Sequence, residues 1–396
     1  MQKPVSRRPR RRRQSSSLAP VEYAASVHPG LEQVVGEEIE TRLAGARTIE
    51  TQRGWVVFRY PGNAADLLKL RTTEDVFVLL FRTADLPTYR KGAIPLLMRM
   101  ARNSRVWEQA LARFGQTRQE SVKRVTFRVI AQMTGRHGFR RQEVRDAVLI
   151  GVQTRWRRWK PVDDDAHVEV WAPIVGNWAA IAIRLSDRRM RHRTYKEEHR
   201  PGSLRPTLAA EMVALSRPQA TDRFCDPMCG TGTILAERAL YAPYQSLLGG
   251  DISRDALRAA MVNLSQAGAA PRLSPETFRH RHAACALNLW DVRSLPIRSA
   301  TIDAVVCNLP FGEKVGSHAD NPALYRRFFQ HLTRVLCRGG RAVLLTSEKE
   351  LMRQYLNHHT QLRREREILV GVLGRAARIY VLRKAQEAAI HVCLST

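Results

Sequence analysis

Acidic residues are scarce in this chain of 396 residues: 37 Asp and Glu stand against 65 Lys and Arg, a formal net charge of +28. Lysine is scarce too, with nine residues against 56 arginines. Genome base composition would explain the choice of arginine over lysine but not the shortage of acids. A surplus of that size points to a polyanionic partner. No apolar run approaches the roughly 20 residues that span a bilayer, so no membrane partner is expected. The first 20 residues hold seven cations, no acid and no apolar core, which argues against a secretory signal. Their contiguous arginines form no amphipathic face of the mitochondrial targeting kind, and residues 1–20 read as a disordered basic tail.

Cysteine is sparse as well. Cys225, Cys229, Cys285, Cys307, Cys337 and Cys393 form no CxxC pair, and no second pair lies at zinc spacing from Cys225 and Cys229. They read as reduced thiols of a cytoplasmic protein, mostly small buried hydrophobes, with no metal and no disulfide framework. No repeat of fixed period is present.

At roughly 100–200 residues per domain, the length predicts two or three domains. From Tyr23 to Thr83 the order is strand, helix, strand, helix, strand, the opening of a ferredoxin-like unit over residues 21–94. A second α+β unit follows at 95–187, with helices at Arg105–Phe114 and Arg141–Trp156 and strands at Val125–Ala131, Val168–Ala172 and Trp178–Arg184. Residues 188–205 form a polar, proline-bounded linker that reads either as a solvated connector or as a hinge touching phosphates. From 206 to 385 strands and helices alternate as an open parallel α/β sheet requires, and 386–396 is a tail. The last two strands are joined by Leu373-Gly374-Arg375-Ala376, too short for a crossover, so they form an antiparallel hairpin.

The strongest chemical signal is Asp226-Pro227-Met228-Cys229-Gly230-Thr231-Gly232-Thr233, between a strand and a helix. The glycines allow a tight turn that opens main-chain N–H groups to a ligand at a helix start. An acid at the strand end repels a pyrophosphate but suits a cationic ligand. Asp251 ends the next strand, where a carboxylate takes both ribose hydroxyls, and Asp291 ends the third, placed to accept from an adenine amine. The fourth strand ends in Asn308-Leu309-Pro310-Phe311-Gly312. There an amide and a carbonyl accept from an exocyclic amine, and an aromatic ring stacks on a base. Each acid alone is as readily a turn cap; three at one sheet edge point to a ligand.

This series resembles the class I S-adenosylmethionine-dependent methyltransferases, and more narrowly the THUMP-domain RNA guanine-N2 methyltransferases. The resemblance rests on DPMCGTGTILAE (226–237), NLPFG (308–312), HRTYKEEHRPGSLRPTLAAEM (192–212) and YAASVHPGLEQVVGEEI (23–39). It implies a ferredoxin-like unit, a THUMP domain and a Rossmann-like domain of seven strands, the last antiparallel. It puts the loop Asp226, Met228, Cys229, Gly230, Thr231, Gly232 and Thr233 around the methionine part of S-adenosylmethionine. Asp251 and Ile252 fall on the ribose, Asp291 and Val292 near the adenine. Leu204, Arg205, Pro206 and Thr207 match the segment closing over the methionine end. Asn308, Leu309, Pro310 and Phe311 meet the target guanine, Asn308 bordering the cofactor too. Leu309 departs from the Pro of broader amino-methyltransferases and resembles the tRNA-directed members.

The implied function is formation of N2-methylguanosine in the tRNA acceptor stem, at position 6. The alternatives are the same chemistry on another tRNA position or on rRNA, and a non-catalytic RNA-binding protein. Arg136, Arg140, Arg141, Arg155, Arg157, Arg158 and Lys160 are the candidate phosphate contacts, interleaved by Trp156 and Trp159. For any one of them a solvated helix face is the simpler expectation. A monomer is expected.

Overall fold

The structure is a computed structural model, which describes residues 21–118, 124–273, 284–311, 320–372 and 374–386. The tail 1–20, Gly312 and Cys393 lie outside them. Two sheets of mixed hand build the molecule. In the first, strands β1 (Glu22–Ser26), β2 (Arg47–Gln52), β3 (Trp55–Arg59) and β4 (Asp75–Thr83) pair antiparallel in the order β2-β3-β1-β4. Helix α1 (Glu32–Arg42) joins β1 to β2, and a 3-10 turn, Ala64–Lys69, precedes β4. Asn63 caps that turn, its side chain accepting from the Ala65 N–H.

The sheet continues without interruption. β4 pairs antiparallel with β8 (Trp178–Arg184), followed by β7 (Val168–Val175), β5 (Thr126–Thr134) and the two-residue β6 (Lys160–Pro161). Helices α2 (Arg90–Asn103), α3 (Trp107–Gln116) and α4 (Arg141–Arg155) complete this half. Position 94/95 lies within α2, a helix not anticipated from sequence, which carries Pro95 inside it. β2 was not anticipated either: RTIETQ alternates exposed and half-buried residues and carries no apolar stripe.

The expected linker is neither loose nor wholly solvated. A short helix, α5 (Arg188–His192), opens behind an Asp187 cap, and Met190, Tyr195, Lys196 and Leu204 are buried. Arg191 pairs with buried Asp75, and Arg193 with buried Glu237.

The second sheet runs β11-β12-β10-β9-β13-β14-β16-β15. These are β9 (Arg223–Asp226), β10 (Ser246–Asp251), the two-residue β11 (Arg272–Leu273), β12 (Ala284–Leu289), β13 (Ile302–Asn308), β14 (Leu336–Thr346), β15 (Leu362–Val372) and β16 (Arg375–Lys384). Leaving aside the short edge strand β11, it is the expected seven-stranded sheet. β16 alone runs antiparallel, paired with both β14 and β15. Helices α6 (Pro206–Leu215), α7 (Thr233–Tyr241) and α8 (Arg254–Gln266) cover one face, α9 (Asn321–Val335) and α10 (Lys349–His358) the other. β13 shows why the sheet is buried on both sides: Ala304 and Val306 join the first core, Val305 and Cys307 the second. Leu31 and Val34 of α1 pack into the first core beside Leu208 and Met212, which joins the two halves. Among the described residues no helix is long and apolar enough to cross a membrane.

Candidate active site

A parallel sheet brings the carboxyl ends of its strands to one edge, so Asp226, Asp251 and Asn308, ending β9, β10 and β13, share it. Between β9 and α7 the loop turns at two glycines with left-handed φ, Gly230 at +51° and Gly232 at +74°. A side chain on Gly232 would sit 3.1 Å from the Ala260 Cβ; one on Gly230 would meet nothing within 4 Å, so the loop is open there. Cys229 N–H donates to the Gly250 carbonyl at 2.9 Å, and Gly230 N–H to Asp251 Oδ2 at 2.9 Å. Asp251 Oδ1 accepts from Ser253 N–H, so its carboxylate braces two turns at once.

Trp290, which the sequence did not single out, closes the same edge. Its Nε1 donates to the Pro227 carbonyl at 2.9 Å, and its ring fills the space a side chain on Gly250 would need. Gly250, without a side chain, is what permits that close approach.

Asp226 is 2% exposed, and its Oδ1 accepts from Met228 N–H at 3.3 Å. Burial, opposed by hydrogen bonds from Met228 and Cys307, pushes its pKa up to about 8. Asp291 behaves differently: hydrogen bonds from Arg293 engage both oxygens and hold its pKa below the usual carboxylate value. The adenine role therefore competes with Arg293 for that carboxylate. Ile252 is 67% exposed beside Asp251, whereas Val292 is buried and Met228 packs against the second core.

Asn308 carries the clearest unmet demand. Its Nδ2 donates to the Gly202 carbonyl at 3.4 Å, while its Oδ1 is buried with no partner among the described residues. Leu309 is buried and its N–H donates to the Leu345 carbonyl. The Pro310 carbonyl accepts from Asn321 and Tyr325, which fixes the turn. Phe311 is half-buried against the first core. Residues 202–207 lie alongside: Ser203 Oγ is 2.9 Å from Thr231 Oγ1, the Leu204 carbonyl accepts from buried Lys196, and Pro206 opens α6. Burial holds the Lys196 pKa down at about 8. Thr207 Oγ1 is a second buried group without a partner among the described residues. Asn263, also unanticipated, accepts from Glu197 and Glu198 N–H and donates to the Thr231 carbonyl, locking the linker to the loop.

The seven candidate phosphate contacts do not form one patch. Arg136, Arg140 and Arg141 are exposed at the N-terminal end of α4; Arg155, Arg157, Arg158 and Lys160 lie at its other end. Fifteen helical residues set the groups about 22 Å apart. Arg155 pairs with Glu108, and Trp156 and Trp159 stack on each other and edge-on to buried Trp107, as core residues do.

Comparison with known proteins bears on this site directly. Residues 193–376 match the model of the UPF0020 family, an RMKL-like methyltransferase domain. The matched stretch is somewhat under half of the chain and is similar to that family. Over 273 residues, 67% of the chain, it is 32% identical to the mouse protein named tRNA (guanine(6)-N(2))-methyltransferase THUMP3. The chain spans about half of that relative, 52% of its length. It is 29% identical over 363 residues, 91% of this chain and 98% of the other, to the tRNA (guanine(6)-N2)-methyltransferase of Thermus thermophilus. The crystal structure of TrmN from Thermus thermophilus matches with a TM-score of 0.72 and 24% identity, covering 92% of this chain and 99% of that one, a likeness of fold.

Proposed function

We propose that the chain is an S-adenosylmethionine-dependent tRNA methyltransferase that forms N2-methylguanosine at position 6 of the acceptor stem. The observation that carries this reading is the buried Asn308 Oδ1, without a partner among the described residues, at the end of β13, the strand beside β9 from which the glycine loop leaves. The names of the mouse and Thermus relatives support the choice of RNA and of position.

The residues present fit the cofactor. Gly230 leaves open space beside a half-buried turn of the loop, Thr207 and Asn308 offer buried unmet polar atoms, and Asp226 is a buried acid that a nearby cation would ionise. The loop 226–233 would hold the methionine part, Asp251 with Ile252 the ribose, and Asp291 with Val292 the adenine. When bound, S-adenosylmethionine supplies an electrophilic sulfonium methyl group.

Guanine N2 is a poor nucleophile because its lone pair is delocalised into the ring. Asn308 Oδ1 and the Leu309 carbonyl accept from the amine, aim its lone pair and stabilise the positive charge that develops. No strong base is required, since the methylated amine is acidic. Phe311 stacks on the everted base. Residues 21–187, joined by one continuous sheet, act as the ferredoxin-like and THUMP part, and 206–385 as the methyltransferase domain. The exposed arginines 136, 140, 141, 157 and 158 contact phosphates. The protein works as a cytoplasmic monomer; its described cysteines are free thiols, suited to a reducing compartment.

Incubation with unmodified tRNA and labelled cofactor, followed by nucleoside mass spectrometry, tests the reading. One methyl on N2 of guanosine 6 is expected. Methyl transfer to another guanosine or another RNA would overturn the position, and none at all the activity.

A further inference from the structure

Residues 200–205 form a strap in which consecutive residues are pinned to different parts of the molecule. Ser203 N–H donates to the Arg200 carbonyl at 3.1 Å, closing a turn with Gly202 at φ +80°. The Gly202 carbonyl accepts from Asn308, the Ser203 hydroxyl meets Thr231, and the Leu204 carbonyl takes the Lys196 ammonium. Arg205 reaches out of the catalytic half: its Nη1 lies 3.2 Å from Oε1 of Glu74, just before β4. Glu74 Oε1 is also 3.6 Å from Nε2 of His28. His28 in turn sits 2.7 Å, Nδ1 to Oε2, from Glu211 of α6, and both are buried.

One end of the strap thus touches the target-amine acceptor and the cofactor loop, and the other is anchored in the N-terminal half. We propose that Glu74 and His28 are positioning residues for methyl transfer: by holding Arg205 and Glu211 they set the strap and the start of α6 against Asn308 and Thr231. This rests on the functional reading above. The placement follows from chain geometry. Arg205 is the last residue before α6, and Glu211 lies on the helix that Pro206 begins. Fixing both therefore fixes the helix start and the strap's far end. The unpaired Thr207 Oγ1 falls between these two anchors, at the place a ligand would contact.

The Arg205 side chain is 61% exposed, so solvent screens its pairing, and the effect expected is modest. Binding of S-adenosylhomocysteine to the full chain is measured by calorimetry, beside tRNA affinity and thermal melting. Glu74→Gln raises the S-adenosylhomocysteine Kd about two- to fivefold. Arg205→Gln does the same, and the double variant is no worse than either single one, because both act through one contact. Arg205→Lys, which keeps the charge, restores most of the affinity. Melting temperature and tRNA affinity stay near wild type in Glu74→Gln, which separates positioning from a general loss of stability. His28→Gln weakens S-adenosylhomocysteine binding at least as much as Glu74→Gln; should it fail to fold, the Glu74 and Arg205 variants decide. Unchanged binding in Glu74→Gln, or additive losses in the double variant, would overturn the proposal alone. A wild-type protein that does not bind S-adenosylhomocysteine would overturn the functional reading with it.

Discussion

Replacing Asn308 by Ala separates turnover from stability in an unusual direction. The side chain contributes one long hydrogen bond, 3.4 Å from Nδ2 to the Gly202 carbonyl, and a buried Oδ1 that has no partner among the described residues. Loss of such a bond costs about 1 kcal/mol, whereas an unsatisfied buried acceptor costs the native state about 1–3 kcal/mol. The two offset, so Asn308→Ala melts within a few degrees of wild type or slightly above it. Turnover behaves otherwise. Removing an acceptor aimed at developing charge lowers kcat about 10²–10³-fold, near 3–4 kcal/mol of barrier. The assay pairs labelled methyl transfer to tRNA under saturating cofactor with S-adenosylhomocysteine calorimetry and a melt. A kcat within tenfold of wild type refutes the assigned role. A melting temperature lowered by more than about 5 °C refutes the claim that this amide is held for chemistry at some expense to the fold.

Four further outcomes follow from the same geometry. Asp226 has a folded pKa raised above its unfolded value, so it favours the folded state fully below about pH 4 and that contribution is lost as pH climbs to about 8. A bound cation favours its ionised form, so S-adenosylmethionine affinity rises between pH 6 and pH 8, and Asp226→Asn flattens that profile in calorimetry; an unchanged slope in the variant would count against the acid. Both glycines have left-handed φ, but only Gly232 is also crowded by Ala260, so Gly232→Ala melts lower than Gly230→Ala, which in addition loses S-adenosylhomocysteine affinity; equal melting losses would contradict the open side of the loop. Trp290→Phe removes the bond to Pro227, costs about 1 kcal/mol in denaturant unfolding and weakens cofactor binding, an effect checked by titration. Arg157→Ala lowers the salt slope of tRNA binding by about 1, whereas Arg155→Ala leaves it near wild type because Arg155 already pairs with Glu108; identical slopes for the two would refute the distinction.

The edge of the catalytic sheet was legible because alternation of strand and helix dictates a parallel sheet, and such a sheet collects its strand ends. Asp226, Gly230, Gly232, Asp251 and Asn308 needed only that rule. Their individual bonds needed the third dimension. Asp251 looks like a ribose ligand in sequence, yet its oxygens also hold Gly230 and Ser253. Trp290 and Asn263 gave no motif, since their partners lie 63 and 32 residues away at Pro227 and Thr231. The linker read as polar because Arg191 and Arg193 are charged, but their partners Asp75 and Glu237 are buried more than forty residues distant in the chain. Helix α2 was not read from the sequence, since Pro95 lies inside it and a proline ordinarily interrupts a helix.

The pairing of β4 with β8 has a consequence for biosynthesis. The register from Phe77 with Arg184 to Thr83 with Ala179 joins segments that leave the ribosome roughly 100 residues apart. At about 5–20 residues per second, the apolar edge of β4 waits roughly 5–20 s for its neighbour. Throughout that interval Val76 to Leu80 present an unpaired border, a template for wrong partners. The N-terminal half is thus finished last where it was begun first, and a nascent polypeptide stalled before residue 178 would be a client for chaperones rather than a completed module.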